Sequence, residues 1–163
     1  MTGAVAWFTG LPSSGKTTLA HAVAGELRLR DIHAVVLDSD ELRVLLPQLG
    51  YDEASRNHFY GLLARLAALI ARQGHVVLVP ATAHRRAYRD AARGLAPAFL
   101  EIFVDTPLEE CRRRDTKGLY ANQVANAPGA GVEYERPPAA DFHVRSNDTD
   151  AAAEIAERLD EMI

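Results

Sequence analysis

The sequence predicts an α/β sandwich, a parallel five-stranded sheet flanked by helices on both faces. Short apolar runs alternate with helix-patterned stretches along the whole chain. The runs are continuous rather than polar–apolar alternating, as expected of strands buried on both faces. A glycine-rich loop joins the first run to the first helix. A chain of 163 residues forms a single domain, 1–163, large enough to bury about 68–70% of its unfolded surface.

Ala4-Val5-Ala6-Trp7-Phe8 is the first strand, and Gly10-Leu11-Pro12-Ser13-Ser14-Gly15-Lys16-Thr17 follows it as a complete G-x-x-x-x-G-K-[ST] phosphate-binding loop. Thr18 to Ala24 then reads as helix, so the motif has the strand–loop–helix setting it requires. Glycines let backbone N–H groups turn inward as an anion nest, and the helix N-terminus adds its positive dipole. Lys16 reaches the β- and γ-phosphates of a nucleoside triphosphate, and the Thr17 hydroxyl suits Mg²⁺. The loop residues Gly10 to Thr18 are therefore expected to hold ATP.

Ala34-Val35-Val36-Leu37 forms a second strand ending at Asp38-Ser39-Asp40. A long helix is expected from about Ser55 to Gln73, with Phe59, Leu62, Leu63, Leu66 and Ile70 on one face and Gly74 as its stop. His75 to Val79 and Phe99 to Val104 are the third and fourth strands. In Thr106-Pro107-Leu108-Glu109 the threonine reads as an N-cap, the proline as the first helical residue and the glutamate as a capping-box partner. Phe142-His143-Val144 is a short fifth strand, and the last helix buries Ile155, Leu159 and Ile163.

Composition narrows the function. A formal charge of −4 with dispersed arginines gives no footprint for nucleic acid. No signal peptide is evident, and Arg65, Arg72 and Gly74 interrupt the most apolar stretch, so no membrane span is expected. Cys111, the single cysteine, suits a reducing cytoplasm and reads as a small helical residue rather than a catalytic thiol. The six histidines lack metal-ligand spacing.

In such a sheet, ligands gather at the carboxyl ends of the strands. There the loop, Asp38/Asp40, Pro80–His84 and Asp105 are expected to converge on one cleft. Asp38 or Asp40 could hold Mg²⁺ through water or take the proton of an attacking hydroxyl; capping of the next helix by Ser39 is the other reading. Arg43 and Arg56 suit a second, acceptor-side anion. Arg114 is placed to swing over the transferring phosphoryl group. Arg85, Arg86, Arg89 and Arg93 read mostly as a solvated helix face. Lys117 to Pro138, rich in Gly, Pro and Asn, reads as a cover over the cleft, a lid spanning about 112–138.

Taken in order, these segments resemble the adenylyl-sulfate kinases, P-loop kinases that phosphorylate the 3′-hydroxyl of adenosine 5′-phosphosulfate (APS) with ATP. Trp7-Phe8-Thr9-Gly10-Leu11, Leu37-Asp38-Ser39-Asp40-Glu41-Leu42-Arg43, Leu49-Gly50-Tyr51 and Ser55-Arg56 carry the likeness. So do Arg86-Ala87-Tyr88-Arg89-Asp90, Phe103-Val104-Asp105-Thr106-Pro107-Leu108-Glu109 and Arg114-Asp115-Thr116-Lys117-Gly118-Leu119-Tyr120. The resemblance implies a P-loop NTPase-like sandwich, ATP and Mg²⁺ as cofactors, and a homodimer. It implies that Asp38 or Asp40 serves the metal and the acceptor hydroxyl, that Arg43, Tyr51 and Arg56 contact the acceptor nucleotide, and that Lys117 and Leu119 belong to the lid.

Departures cluster on the acceptor side. The family's Asp-Gly-Asp-Asn is Asp38-Ser39-Asp40-Glu41 here, and its Phe-Ile-Ser-Pro is Ala81-Thr82-Ala83-His84, so the phosphate-carrying serine proposed there is absent. Phe59 stands where an asparagine is expected, and Ala125-Asn126-Ala127-Pro128-Gly129 lacks the lid lysine and phenylalanine that hold the acceptor's adenine. Base–aromatic stacking is worth ~1–3 kcal/mol; Tyr120 and Tyr134 are the rings that could substitute. These changes keep open the same chemistry on another small hydroxyl compound, or an inactive ATP-binding module. A GTPase lacks its Asn/Thr-Lys-x-Asp motif here.

Overall fold

The computed structural model describes residues 1–116, 118–121, 127–128, 131–145 and 148–163. Five parallel strands form the sheet: β1 (Ala4–Thr9), β2 (Ala34–Val36), β3 (Val76–Pro80), β4 (Phe99–Asp105) and β7 (Phe142–Arg145), in the order β2-β3-β1-β4-β7. The two-residue strands β5 (Ala127–Pro128) and β6 (Gly131–Val132) pair separately. The first strand in sequence thus lies at the centre, which puts the loop that follows it in the middle of the sheet's carboxyl edge.

Side-chain alternation on each strand divides the core into two layers. Ala4, Ala6 and Phe8 of β1 face α1 (Lys16–Arg28) and α6 (Ala151–Met162), packing with Val23, Leu27, Ile155 and Leu159. Val5 and Trp7 face the other way, against Phe59, Leu63 and Ala67 of α3 (Glu53–Arg72) and Ala92 of α4 (Arg86–Leu95). Trp7 is fully buried, and its indole N–H donates to Ala81 O at 3.2 Å.

The long helix starts two residues before its expected onset because Asp52 caps it, accepting from Ser55 N at 3.1 Å. Its buried stripe is Phe59, Leu63, Ala64, Ala67, Ala68 and Ala71, with Leu62, Leu66 and Ile70 half-buried. The large residues mark the edge of that face, while alanines make its centre and let the helix lie close to β1 and β3. Gly74 sits at φ +94 just past the helix, the left-handed stop expected of it.

Two expected caps are corrected. Asp38, not Ser39, caps α2 (Ser39–Leu45), accepting from Asp40 N at 2.8 Å. The N-cap of α5 (Leu108–Arg114) is Pro107, which lies outside the helical region at ψ 142. Thr106 is free to act elsewhere, and its hydroxyl donates to Ser14 O at 2.7 Å, tying β4 to the phosphate loop. On α5, Cys111 is fully buried with its thiol 3.6 Å from Thr106 O, and burial pushes the thiol pKa up. No helix among the described residues is long and apolar enough to cross a membrane.

Candidate active site

The carboxyl edge of the sheet opens into a cavity of about 440 Å³. One wall is the loop from Pro12 to Thr18; the opposite wall is Arg43, Tyr51, Arg56, Phe59, Tyr60 and His84. Ser39, Asp40, Pro80 and Thr82 lie on its lining, with Arg114, Thr116 and Leu119.

Backbone conformation shapes the loop. Gly10 has φ +155, and a Cβ there would meet Val104 O at 2.5 Å. Gly15 caps α1 in the left-handed region at φ +102. Both positions exclude ordinary L-residues, which leaves amide hydrogens free to point at an anion. Lys16 folds back over the loop, donating to Gly10 O at 3.0 Å and Leu11 O at 2.7 Å. Ser14 Oγ is enclosed with no hydrogen-bond partner among the described residues.

Thr17 Oγ1 donates to Asp38 Oδ2 at 2.7 Å, and the second oxygen of the same carboxylate caps α2. Asp38 is buried, whereas Asp40, one step into the helix, is exposed and lines the cavity. The two aspartates therefore occupy different places: Asp38 buried beside the loop threonine, Asp40 exposed on the cavity lining.

The opposite wall is made of side chains. The Arg43 guanidinium lies 4.4 Å from the Tyr51 ring centre and 4.1 Å from that of Phe59, and it donates to Gly50 O at 2.7 Å. Phe59, standing where the family has asparagine, thus supports an arginine through a cation–π contact. Arg56 is buried 5.8 Å from the Tyr51 ring centre, and its burial pulls its pKa below the ordinary arginine value. Tyr60 OH accepts from Ala83 N at 3.1 Å, and burial raises its pKa. Burial, with Arg56 and Arg85 nearby, lowers the His84 pKa to about 4.

Arg89 departs from its expected place on a solvated face. It is fully buried: Nε meets Glu101 Oε2 at 3.1 Å, and its other nitrogens donate to Ala83 O at 2.7 Å and Glu135 O at 2.6 Å. Nothing in the helical pattern separates it from its exposed neighbours Arg86 and Asp90; the carboxylate that claims it lies on a different element, β4. Asp105 also departs from expectation. It is absent from the cavity lining, and its Oδ2 accepts from Arg136 at 2.9 Å and lies 2.7 Å from His143 Nε2.

Neither Tyr120 nor Tyr134 is on the cavity lining. Tyr120 OH donates to Pro12 O at 3.0 Å. The Thr9 hydroxyl spends its proton on Thr82 O at 2.6 Å, so Tyr134 OH, 2.7 Å away, donates to Thr9, and the Tyr134 ring stacks on Phe103. Burial raises the Tyr134 pKa to about 12. Lys117 and residues 122–126 and 129–130 of the expected lid lie outside the described residues. Arg114 lines the cavity as anticipated, with NH2 on Glu110 at 2.6 Å and NH1 3.4 Å from Ser14 O. Tyr60 was invisible as a site residue in the sequence because it continues the apolar pattern of α3.

A central β1, a phosphate loop at its end and a second, cationic wall across the cleft define a P-loop α/β fold. The chain belongs to the adenylylsulphate kinase family, whose profile matches residues 2–145. It is 42% identical to the bifunctional enzyme NodQ of Azospirillum brasilense, over 98% of this chain and 27% of that protein. It is 35% identical to the adenylyl-sulfate kinase of Shewanella amazonensis, over 99% of this chain and 85% of that one. Among solved structures, the Mycobacterium tuberculosis APS kinase CysC in complex with AMPPNP and APS superposes with a TM-score of 0.87 at 36% identity, covering 99% of this chain and 97% of that one. The chain spans about a quarter of the length of the NodQ proteins it matches.

Proposed function

We propose that this protein is an ATP-dependent kinase that transfers the γ-phosphoryl group to the 3′-hydroxyl of APS. The observation that carries the reading is the two-walled cavity, lined on one side by the phosphate loop and on the other by cationic and aromatic side chains, with Asp40 on its lining.

On the donor side, backbone N–H groups at the Gly15–Thr18 end of the loop receive the phosphates, and Lys16 exchanges its Gly10 and Leu11 carbonyl partners for β- and γ-oxygens. The paired oxygens of Thr17 and Asp38 fit a hard cation that retains waters. Mg²⁺ held there supplies charge neutralisation of the β- and γ-phosphates. On the acceptor side, Arg43 and Arg56 take the phosphosulfate oxygens, and Tyr51 with Leu119 bounds the nucleotide. Asp40 accepts the 3′-hydroxyl proton as that oxygen bonds to the γ-phosphorus. The bond from γ-phosphorus to the bridging oxygen breaks, ADP leaves, and Arg114 balances charge on the transferred group.

Coupled ADP-release measurements with Mg·ATP and APS test the reading, with other hydroxyl compounds and acceptor-free mixtures alongside. Turnover is expected with APS; turnover only with a different alcohol would move the acceptor assignment, and none at all would end it. The family resemblance further supports a homodimer, and the single cysteine a reducing cytoplasm, to be checked by sedimentation and cell fractionation.

A further inference from the structure

His84 stands where the family has proline, and it is held with more care than a filler residue needs. Ala83 before it adopts φ +42, a left-handed conformation that a non-glycine residue keeps only when its surroundings impose it. Tyr60 OH takes the Ala83 N–H, Arg89 donates to Ala83 O at 2.7 Å, and Glu135 N donates to His84 O at 2.8 Å. The imidazole sits edge-on to Tyr60 and Tyr88, with centroids 6.5 and 5.6 Å away. It is 5% exposed, it lines the cavity, and its Nδ1 has no hydrogen-bond partner among the described residues. A polar atom enclosed in a wall this constrained implies that its partner arrives with the ligand or with a water the ligand orders.

We propose that His84 is a specificity-determining residue for the nucleotide acceptor, its imidazole hydrogen-bonding the acceptor beside Arg56. The assignment rests on the APS reading above. Two exchanges in the same cavity support it: Phe59 removes the family's asparagine and with it a hydrogen-bonding group, while His84 brings one where the family has none. The lowered pKa keeps the ring uncharged at neutral pH. It therefore adds direction to the wall without adding a third positive charge to Arg43 and Arg56. Like other polar groups matched to a substrate, it discriminates by being left unpaired when the wrong acceptor enters.

The experiment is steady-state kinetics of the full chain with Mg·ATP and APS, for the wild type, His84→Asn and His84→Phe. His84→Phe is expected to raise the APS KM about tenfold, the loss of roughly one hydrogen bond. Its ATP KM should stay within about twofold, and His84→Asn should recover most of the APS affinity. An APS KM unchanged by His84→Phe in an enzyme that turns over would overturn the proposal while leaving the acceptor reading intact. Absence of APS turnover in the wild type would instead remove the acceptor reading and this assignment with it. Imidazole ¹⁵N shifts of the wild-type protein give a readout that depends on no variant folding. Saturating APS with Mg·ADP should move the His84 resonances, and unmoved resonances would overturn the assignment.

Discussion

The two walls of the cleft are built from different materials. The phosphate-loop wall is mostly backbone: glycine conformations at Gly10 and Gly15 and amide hydrogens, joined by one lysine and one threonine side chain at fixed spacing. The opposite wall is side chains drawn from α2, the loop after it, α3 and the turn after β3, stacked on one another as Tyr51–Arg43–Phe59 and braced from behind by Arg89. A backbone site has few sequence solutions and leaves its spelling in the chain. A side-chain site can exchange members while its outline persists, as Phe59 and His84 do here.

If the walls serve separate substrates, damage to one should spare the other. The largest expected effect is from Asp40→Ala, which should lower kcat by about 10²–10⁴ while Mg·ATP binding, read by calorimetry, stays within about threefold. Full turnover in that variant would break the division of labour. Next comes Arg89→Met, which leaves Glu101 buried without its cation. Breaking such a pair costs about 3–5 kcal/mol, seen as a lower denaturant midpoint; a loss below about 1 kcal/mol would mean the brace is dispensable.

A third test uses acid. With a folded pKa of about 4, His84 stays neutral while the unfolded chain takes up a proton below its ordinary value of about 6.5. The unfolded state thus binds more protons between those values, and stability contributed by the neutral ring is lost as pH falls from about 6.5 to about 4. The loss is at most about 3 kcal/mol, and His84→Gln should flatten that portion of the stability–pH curve. The smallest effect should come from the donor side. Thr106→Val removes the hydroxyl that holds Ser14 O, costing about 1 kcal/mol of stability with little change in the APS KM.

The sheet, its helices and the phosphate loop were legible because their signals are local: apolar runs, helical periodicity, and a motif whose glycines are required by backbone geometry. Legibility ended where partners come from distant segments. Arg89 resembles its solvated neighbours until β4 supplies Glu101, Tyr134 resembles a spare stacking ring until Thr9 claims its hydroxyl, and Thr106 reads as a cap until Ser14 is placed beside it. Asp38 and Asp40 were interchangeable in sequence. They part company only when α2 turns one carboxylate under Thr17 and leaves the other on the cavity lining.

Cys111 has a practical consequence. The sole sulfhydryl of the chain is fully buried on α5, and burial keeps it protonated, so alkylating reagents and mild oxidants should pass it by. A cysteine introduced at an exposed position such as Glu154 would then be the single point of attachment for a fluorophore or spin label. Motion at that point could be followed during turnover without first removing the native thiol.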